Sequence, residues 1–175
     1  VVVGAGPAGM MAAITAAANG AAVTLLEKKE RAGKKLSITG KGRCNITSAV
    51  ERQELVKGFP GNGRFLYSAF NQFGNQELIQ FFNSQGLATV VERGQRVFPQ
   101  SGKANEVVAI LEKNLQQKGV SVVTSWTVRE LVMESGEIIG VRGSGGYLPA
   151  AALVVATGGM SYPGTGSTGD GYLWA

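Results

Sequence analysis

A glycine-rich segment near the start of the sequence has residue types and spacing that suit a backbone lying against phosphate. The segment begins at Gly4, reads Gly-Ala-Gly-Pro-Ala-Gly, and lies between a predicted strand and a predicted helix. Gly4 permits a tight turn, Gly6 lets the backbone approach a pyrophosphate, and Gly9 allows the helix to pack closely on the strand. The first helical turn, which holds Pro7 and Ala8, then presents unpaired N–H groups and a positive dipole to the phosphates.

Glu27 is the second residue with a chemical role that its position predicts. It ends the second predicted strand, about twenty residues after the glycines, where a carboxylate accepts hydrogen bonds from ribose hydroxyls and repels a 2′-phosphate. The alternative is an ordinary exposed glutamate at a strand end. The glycines and the carboxylate together indicate a bound dinucleotide, but they do not distinguish NAD from FAD.

A βαβ unit positions these residues. The β-branched run at 1–3 predicts a buried strand, and the alanine-rich stretch 7–19 predicts a helix that stops at Asn19-Gly20. Residues 22–27 predict a second buried strand, which completes a unit of nearly minimal length.

Further elements follow this unit and complete an α/β fold. We predict a Rossmann-like domain with a parallel central sheet, a helical excursion and an antiparallel crossover meander. The predicted elements are a loop with short helical pieces over 28–63, helices over 64–73 and 75–85, a hairpin over 88–92 and 95–99, an amphipathic helix over 104–118, a strand over 120–124, and meander strands over 126–134, 138–142 and 147–156.

Basic residues are concentrated in one part of a chain whose net charge is +5. This cluster is consistent with a solvated face or with a surface that meets phosphate. Nucleic-acid binding is a weaker interpretation, because no aromatic residues interleave with the cluster to stack on bases. The cluster consists of Lys28, Lys29, Arg31, Lys34, Lys35, Lys41 and Arg43.

The residue types that are missing or rare exclude several kinds of catalytic and metal site. The chain has no histidine, so the commonest general acid/base and the commonest metal ligand are excluded. Cys44 is the only cysteine, which excludes an internal disulfide and a cysteine-rich zinc site, and we interpret it as a packed small side chain. We therefore expect no metal site, and the sequence identifies no catalytic residue.

The sequence contains no recognisable signal peptide and no membrane span. The apolar run over 8–18 is far shorter than the roughly 20 residues that a bilayer requires. We therefore expect a cytoplasmic protein with no membrane partner.

A second glycine motif near the other end of the chain separates FAD from NAD. Residues 153–159 read Leu-Val-Val-Ala-Thr-Gly-Gly, and they resemble the second FAD signature of glutathione-reductase-like flavoproteins. In that group Ala-Thr-Gly, here Ala156, Thr157 and Gly158, ends a strand after the meander. A plain strand end and a simple NAD-binding dehydrogenase domain remain alternatives, although the latter is expected to continue through further βα units.

Three longer stretches are similar to one family. They are Gly-Lys-Lys-Leu-Ser-Ile-Thr-Gly-Lys-Gly-Arg-Cys-Asn-Ile-Thr at 33–47, Arg-Val-Phe-Pro at 96–99, and Gly-Met-Ser-Tyr-Pro-Gly-Thr-Gly-Ser-Thr-Gly-Asp-Gly-Tyr at 159–172. Together they resemble the BaiN-like flavoproteins, a family that includes aminoacetone-oxidase-like enzymes. The resemblance covers the whole chain.

The resemblance implies noncovalently bound FAD, with NAD(P)H as an electron donor that the family allows. It implies that residues 40–45 lie along the pyrophosphate and ribityl chain, that Val128 meets the adenine through its backbone, and that Tyr162 lies near the flavin and the substrate. The further cofactor-binding residues that it suggests are Lys28, Lys35, Gly40, Gly42, Arg43 and Asn45.

The function implied is that of an FAD-dependent oxidoreductase, which transfers electrons between a small-molecule substrate and NAD(P)H or oxygen. The alternatives are an NAD-binding dehydrogenase domain and an FAD-dependent flavoprotein that modifies RNA, although we expect no nucleic-acid partner. Relatives continue into an inserted barrel and helical domain and then return to the FAD domain. Residues 1–175 are therefore expected to form an incomplete FAD-binding domain, with its C-terminal part and the substrate domain outside this sequence.

Overall fold

A computed structural model describes every residue from Val1 to Ala175, and its elements follow the predicted order closely. The strands are β1 Val2–Val3, β2 Thr24–Leu26, β3 Thr47–Ser48, β4 Thr89–Glu92, β5 Arg96–Pro99, β6 Ser121–Val123, β7 Val128–Glu134, β8 Glu137–Gly143, β9 Gly146–Pro149 and β10 Val154–Val155. The helices are α1 Pro7–Ala18, α2 Thr39–Gly42, α3 Arg52–Lys57, α4 Tyr67–Gln72, α5 Asn75–Ser84, α6 Ala104–Gln117 and α7 Asp170–Trp174, with 3₁₀ turns at Leu36–Ile38, Gly63–Leu66 and Pro163–Thr165.

The chain forms two compact units. The first consists of Val1–Leu36 and Leu111–Ala175, and the second is Ser37–Ile110, so that the division falls within α6. None of the helices has the length and the apolar character needed to cross a bilayer.

A four-stranded parallel sheet forms the centre of the first unit, as predicted. Its strand order is β10-β1-β2-β6. Val2 of β1 pairs with Leu25 on one side and with Val154 on the other, so β1 is an inner strand. Because all four strands are parallel, the loops that follow β1, β2 and β10 leave the sheet at the same edge.

The meander β7-β8-β9 is a separate antiparallel sheet of the first unit. Val128 and Val141 of the meander form a buried cluster with Val3 and Leu26 of the parallel sheet. Burial of these branched side chains against each other contributes to the hydrophobic stabilisation of this part of the unit.

The predicted final strand over 147–156 is wrong, because it merges two strands of different sheets. Gly146–Pro149 pairs with β8 in the meander, whereas Val154–Val155 pairs with β1 in the parallel sheet. Pro149 has no N–H to donate, and Ala150 N makes the last bond to this ladder, with Ile139 O at 2.9 Å. Residues 151–153 then lead the chain into the parallel sheet.

The second unit contains the predicted hairpin and one strand that the sequence did not indicate. Strands β4 and β5 pair antiparallel, and β3 adds to β5 with Thr47 opposite Val97. The predicted helix over 104–118 is confirmed as α6, which buries Val107, Val108, Leu111 and Leu115 and ends before Gly119, whose φ is +70°.

A substitution in β2 tests the assigned core. Leu25 is completely buried in an inner strand, so Leu25→Ala should lower the free energy of unfolding by about 2–5 kcal/mol through lost transfer energy and the cavity left behind. Val122→Ala in the adjacent strand is the control, because Val122 is 40% exposed and its truncation should cost far less. Urea unfolding of the apoprotein measures both changes, and equal losses would contradict the assignment.

Candidate dinucleotide site

The three motif glycines differ in how much room the structure leaves for a side chain. Gly4 has φ of +101°, and a Cβ on it would lie 2.6 Å from the Ala156 carbonyl oxygen. A Cβ on Gly9 would lie 1.8 Å from the Gly4 carbonyl oxygen, so the helix packs directly on the turn. Gly6 has φ of −76°, and a Cβ on it would meet nothing within 4 Å. Gly4 and Gly9 are therefore needed by the fold, whereas Gly6 leaves open space at the surface of the turn.

The N-terminus of α1 carries no protein group that would compete with an anion. Gly6 is its N-cap residue, no side chain caps the helix, and no acidic residue occupies the first turn. Pro7 stands at the first helical position, where its missing N–H costs nothing. The first intrahelical bond, from Met10 N to Gly6 O, is 2.9 Å long. The remaining N–H groups and the helix dipole favour a phosphate at this end.

Glu27 has a structural role that sequence reasoning did not anticipate. One carboxylate oxygen accepts a hydrogen bond from Ala5 N at 2.9 Å, and the other accepts one from Lys29 N at 2.8 Å. Glu27 therefore fixes the glycine turn after β1 to the loop after β2. Each carboxylate oxygen retains a lone pair, so the predicted contact with ribose remains chemically available.

The segment before Val128 lies beside Glu27. Trp126 N donates to the Glu27 carbonyl oxygen at 2.9 Å, and Val128 begins β7 two residues later. The Val128 side chain is buried in the hydrophobic cluster, so any contact with an adenine must use its backbone, as the sequence resemblance implies.

The second glycine motif lies directly beside the first. Val155 of β10 pairs with Val3 of β1, and Ala156 N donates to Val3 O at 2.8 Å. The Ala156 Cβ lies 3.3 Å from the position that a Cβ on Gly9 would occupy. Thr157 and Gly158, whose φ is +72°, follow at the same edge of the sheet. Motifs from opposite ends of the sequence thus form one crevice at the carboxyl ends of parallel strands, where dinucleotides bind.

Lys28 is paired with a residue that the sequence analysis did not single out. Its ammonium group contacts Asp170 at 2.7 Å and Thr168 Oγ1 at 2.5 Å, and Thr168 Oγ1 donates to Asp170 at 2.7 Å. Burial alone would raise the pKa of Asp170, but the hydrogen bonds from Lys28 and Thr168 lower it below the ordinary aspartate value. The only available signal was the position of Asp170 within the Gly-Asp-Gly stretch.

Lys35 connects the same two loops at a second point. Its ammonium donates to Ser161 O at 3.0 Å, Ser161 Oγ at 2.8 Å and Ser167 Oγ at 3.3 Å. The Tyr162 ring centroid lies 6.0 Å from the Lys35 nitrogen. Tyr162 is 70% exposed and has φ of +56°, a conformation that is uncommon for a bulky residue and concentrates at functional sites.

The remaining predicted residues lie in the second unit and have partners there. The Arg43 guanidinium forms two hydrogen bonds with Glu92 and stacks 4.5 Å above the Phe98 ring. Gly40 has φ of +57° and packs against Phe98, whereas a Cβ on Gly42 would meet nothing within 4 Å. The Asn45 amide nitrogen can donate to Thr47 O and Val97 O. Contacts of these residues with a cofactor stay predictions.

Cys44 has the properties of a packed side chain. It is fully buried in the second unit. Burial raises the pKa of its thiol, although a hydrogen bond with Thr39 partly offsets this shift. A thiol that remains protonated is a poor nucleophile, which agrees with the interpretation from the sequence.

Known proteins are similar to this chain in sequence and in architecture. A 3-dehydro-bile acid delta(4,6)-reductase from Clostridium scindens is 35% identical over 99% of this chain and 42% of its own length. A ribosomal RNA dihydrouridine synthase from Escherichia coli is 29% identical over 98% of this chain and 42% of its own length. The chain therefore spans about two fifths of the length of these relatives.

A solved structure confirms the fold. The open conformation of a flavocytochrome c3 fumarate reductase superposes with a TM-score of 0.69 at 24% identity, covering 99% of this chain and 39% of the other. A model of the family described as HI0933-like protein Rossmann domain matches residues 1–175. The predicted resemblance to the BaiN-like family and the predicted Rossmann-like fold are confirmed. The chain belongs to the HI0933-like family of Rossmann domains.

Proposed function

We propose that the crevice between the two glycine motifs holds the pyrophosphate of FAD. The observation that carries this proposal is the open position at Gly6, at the uncapped N-terminus of α1 and beside the end of β10. A phosphate can approach the backbone there without displacing any side chain, and the helix dipole favours its charge. The residues around Gly6 are therefore compatible with a bound FAD pyrophosphate.

The other predicted residues can be assigned along the cofactor. Glu27 binds the adenosine ribose, and the Val128 backbone meets the adenine. Ala156, Thr157 and Gly158 line the second side of the crevice. The family resemblance adds Gly40, Gly42, Arg43 and Asn45 as proposed cofactor contacts. FAD supplies the electron transfer, while the chain binds it, orients it and sets the charge around its ring.

The whole protein is proposed to be a cytoplasmic FAD-dependent oxidoreductase that acts on a small molecule, with NAD(P)H or oxygen as the second redox partner. The name of the Clostridium scindens relative describes reduction of bile-acid double bonds, and the name of the Escherichia coli relative describes formation of a base with a saturated ring bond. Both reactions add hydrogen across a carbon–carbon double bond. We extend this reaction class to the present protein, for which NAD(P)H, and not oxygen, would then be the second redox partner that supplies the hydride.

The NAD-binding dehydrogenase alternative differs in a directly visible property. An FAD protein absorbs visible light as purified, whereas an NAD-binding domain is colourless and binds NADH. The absorption spectrum of the full-length protein therefore decides between them.

Two glycine substitutions separate binding from folding. Gly6→Val should remove bound flavin while the protein stays folded, because the φ of Gly6 suits any residue and its Cβ position is empty. Gly9→Ala should instead destabilise the fold, since its Cβ would lie 1.8 Å from the Gly4 carbonyl oxygen. Flavin absorbance per protein and circular dichroism measure the two effects. A folded Gly6→Val variant with full flavin content would refute the proposed site.

Glu27 allows a test that separates its ribose contact from its backbone contacts. Glu27→Ala should weaken FAD binding by about 1–3 kcal/mol, the range for a hydrogen bond to a charged group. Because Glu27 also holds Ala5 N and Lys29 N, the variant is compared with an FAD analogue that lacks the adenosine 2′-hydroxyl. The analogue should bind more weakly than FAD to the wild-type protein but not to the variant. Additive losses would assign Glu27 a purely structural role.

An RNA substrate is a second candidate function. The similarity to a ribosomal RNA dihydrouridine synthase and the basic residues over 28–43 favour it. Against it, much of the positive charge is already engaged within the protein, which leaves less of it for phosphates. The engaged pairs are Lys28 with Asp170, Lys34 with Glu30, and Arg43 with Glu92.

Salt dependence distinguishes the two substrate classes. If the substrate is a small molecule, the full-length protein should show no saturable binding to ribosomal RNA at physiological salt, and charge reversal at Lys29 should change nothing. An RNA-binding surface would instead lose affinity steeply as salt increases, with a slope that becomes shallower in Lys29→Glu and Lys34→Glu. Fluorescence anisotropy with labelled ribosomal RNA at several salt concentrations measures this slope.

A further inference from the structure

Lys35 carries a charge that no carboxylate of the protein neutralises. The ion pairs of the chain involve Lys28, Lys34, Arg43, Arg52, Lys57 and Arg142, but not Lys35. All three of its N–H donors are directed at neutral oxygens of the loop after β10, which belong to Ser161 and Ser167. The positive charge of the Lys35 ammonium therefore polarises the serine hydroxyls that it contacts.

The two serine hydroxyls accept from Lys35 and are free to donate elsewhere. Neither hydroxyl donates to an acceptor within the protein. Ser167 is only 6% exposed, so its orientation is fixed by its surroundings. Two unused O–H donors therefore contact one unneutralised cation, an arrangement suited to an oxygen that acquires negative charge.

This cluster lies at the same edge of the parallel sheet as the proposed cofactor crevice. Ser167 Oγ lies 3.7 Å from the position that a Cβ on Gly158 would occupy. On the other side, Gly33 N donates to Ala5 O at 2.8 Å, two residues before Lys35. Both glycine motifs are thus in contact with the segments that build the cluster.

We propose that Ser161 and Ser167, polarised by Lys35, bind a carbonyl oxygen on which negative charge develops during electron transfer. This inference rests on the proposed function. When a hydride that NAD(P)H would supply by way of FAD adds to a carbon–carbon double bond conjugated with a carbonyl, the displaced electron pair moves to the carbonyl oxygen, and a proton from water then completes the reduction at carbon. Lys35 is a positioning residue in this scheme, because it acts through the hydroxyls.

Two carbonyl oxygens could acquire negative charge at this cluster. One is the carbonyl oxygen of a conjugated substrate, and the other is a carbonyl oxygen of the flavin ring, where charge accumulates on reduction. A cation near the ring favours the reduced flavin, whereas a cation near the substrate favours substrate binding. The flavin midpoint potential and the affinity for a substrate-like probe distinguish the two sources.

The test uses the full-length FAD-loaded protein with Lys35→Met and Ser167→Ala. Lys34→Met is the matched control, because it removes one positive charge from the adjacent position, where the ammonium is paired with Glu30. The midpoint potential is measured by equilibration with a reference dye. The affinities for fumarate and for 2-cyclohexen-1-one, two conjugated carbonyl probes, are measured from changes in the flavin absorbance.

If the flavin oxygen occupies the cluster, Lys35→Met should lower the midpoint potential by at least about 30 mV, which is a tenfold change for a two-electron couple. If the substrate oxygen occupies it, the dissociation constant of at least one probe should rise about tenfold or more at unchanged potential. Ser167→Ala should change the same quantity in the same direction but less, and Lys34→Met should stay within twofold of wild type.

Three other outcomes would contradict the inference or the proposed function. If neither the potential nor any probe affinity changes in Lys35→Met, the inference is wrong, whether or not the wild-type protein binds the probes. If Lys35→Met loses its FAD while Ser167→Ala behaves as wild type, Lys35 is a phosphate contact and the inference is also wrong. A wild-type protein that contains no FAD would instead overturn the proposed function itself.

Discussion

The close contact between the turn after β1 and the end of β10 sets the position of the other parts of the candidate site. Three segments meet there without room for a Cβ at Gly4 or Gly9, since the nearest atoms would lie at 2.6 and 1.8 Å. This contact fixes the start of α1 against the sheet and places Gly6 at the surface of the turn. The capacity to receive a phosphate therefore follows from backbone packing, because no side chain of the protein has to move.

Polar contacts fasten the loops around this centre. Glu27 joins the glycine turn to the loop after β2 through two backbone N–H groups. Lys28 and Lys35 then join the loop after β2 to the loop after β10. Because β1 lies between β2 and β10 in the sheet, these contacts cross the edge at which the two glycine motifs open. The groups proposed to bind the cofactor are thus also groups that shape its site.

The two lysines illustrate how similar residues come to differ in function. Lys28 is neutralised by Asp170, so its contribution is mainly to hold the loop that carries Asp170. Lys35 is held by neutral oxygens, so its charge remains available to a ligand. A basic cluster in a sequence is therefore not a uniform surface, and its partners decide which charges can act on a substrate or cofactor.

The βαβ start, the amphipathic α6, the hairpin of the second unit and the role of the glycine spacing could be predicted from the sequence, because they depend on local periodicity, turn residues and backbone freedom. The sequence could not determine the division of 147–156 between two sheets, the two-residue strand β3, or the partners of Lys28, Lys35 and Arg43. Those features depend on contacts between residues distant in the chain, and hydrogen-bond partners at such distances follow only from the packed tertiary structure.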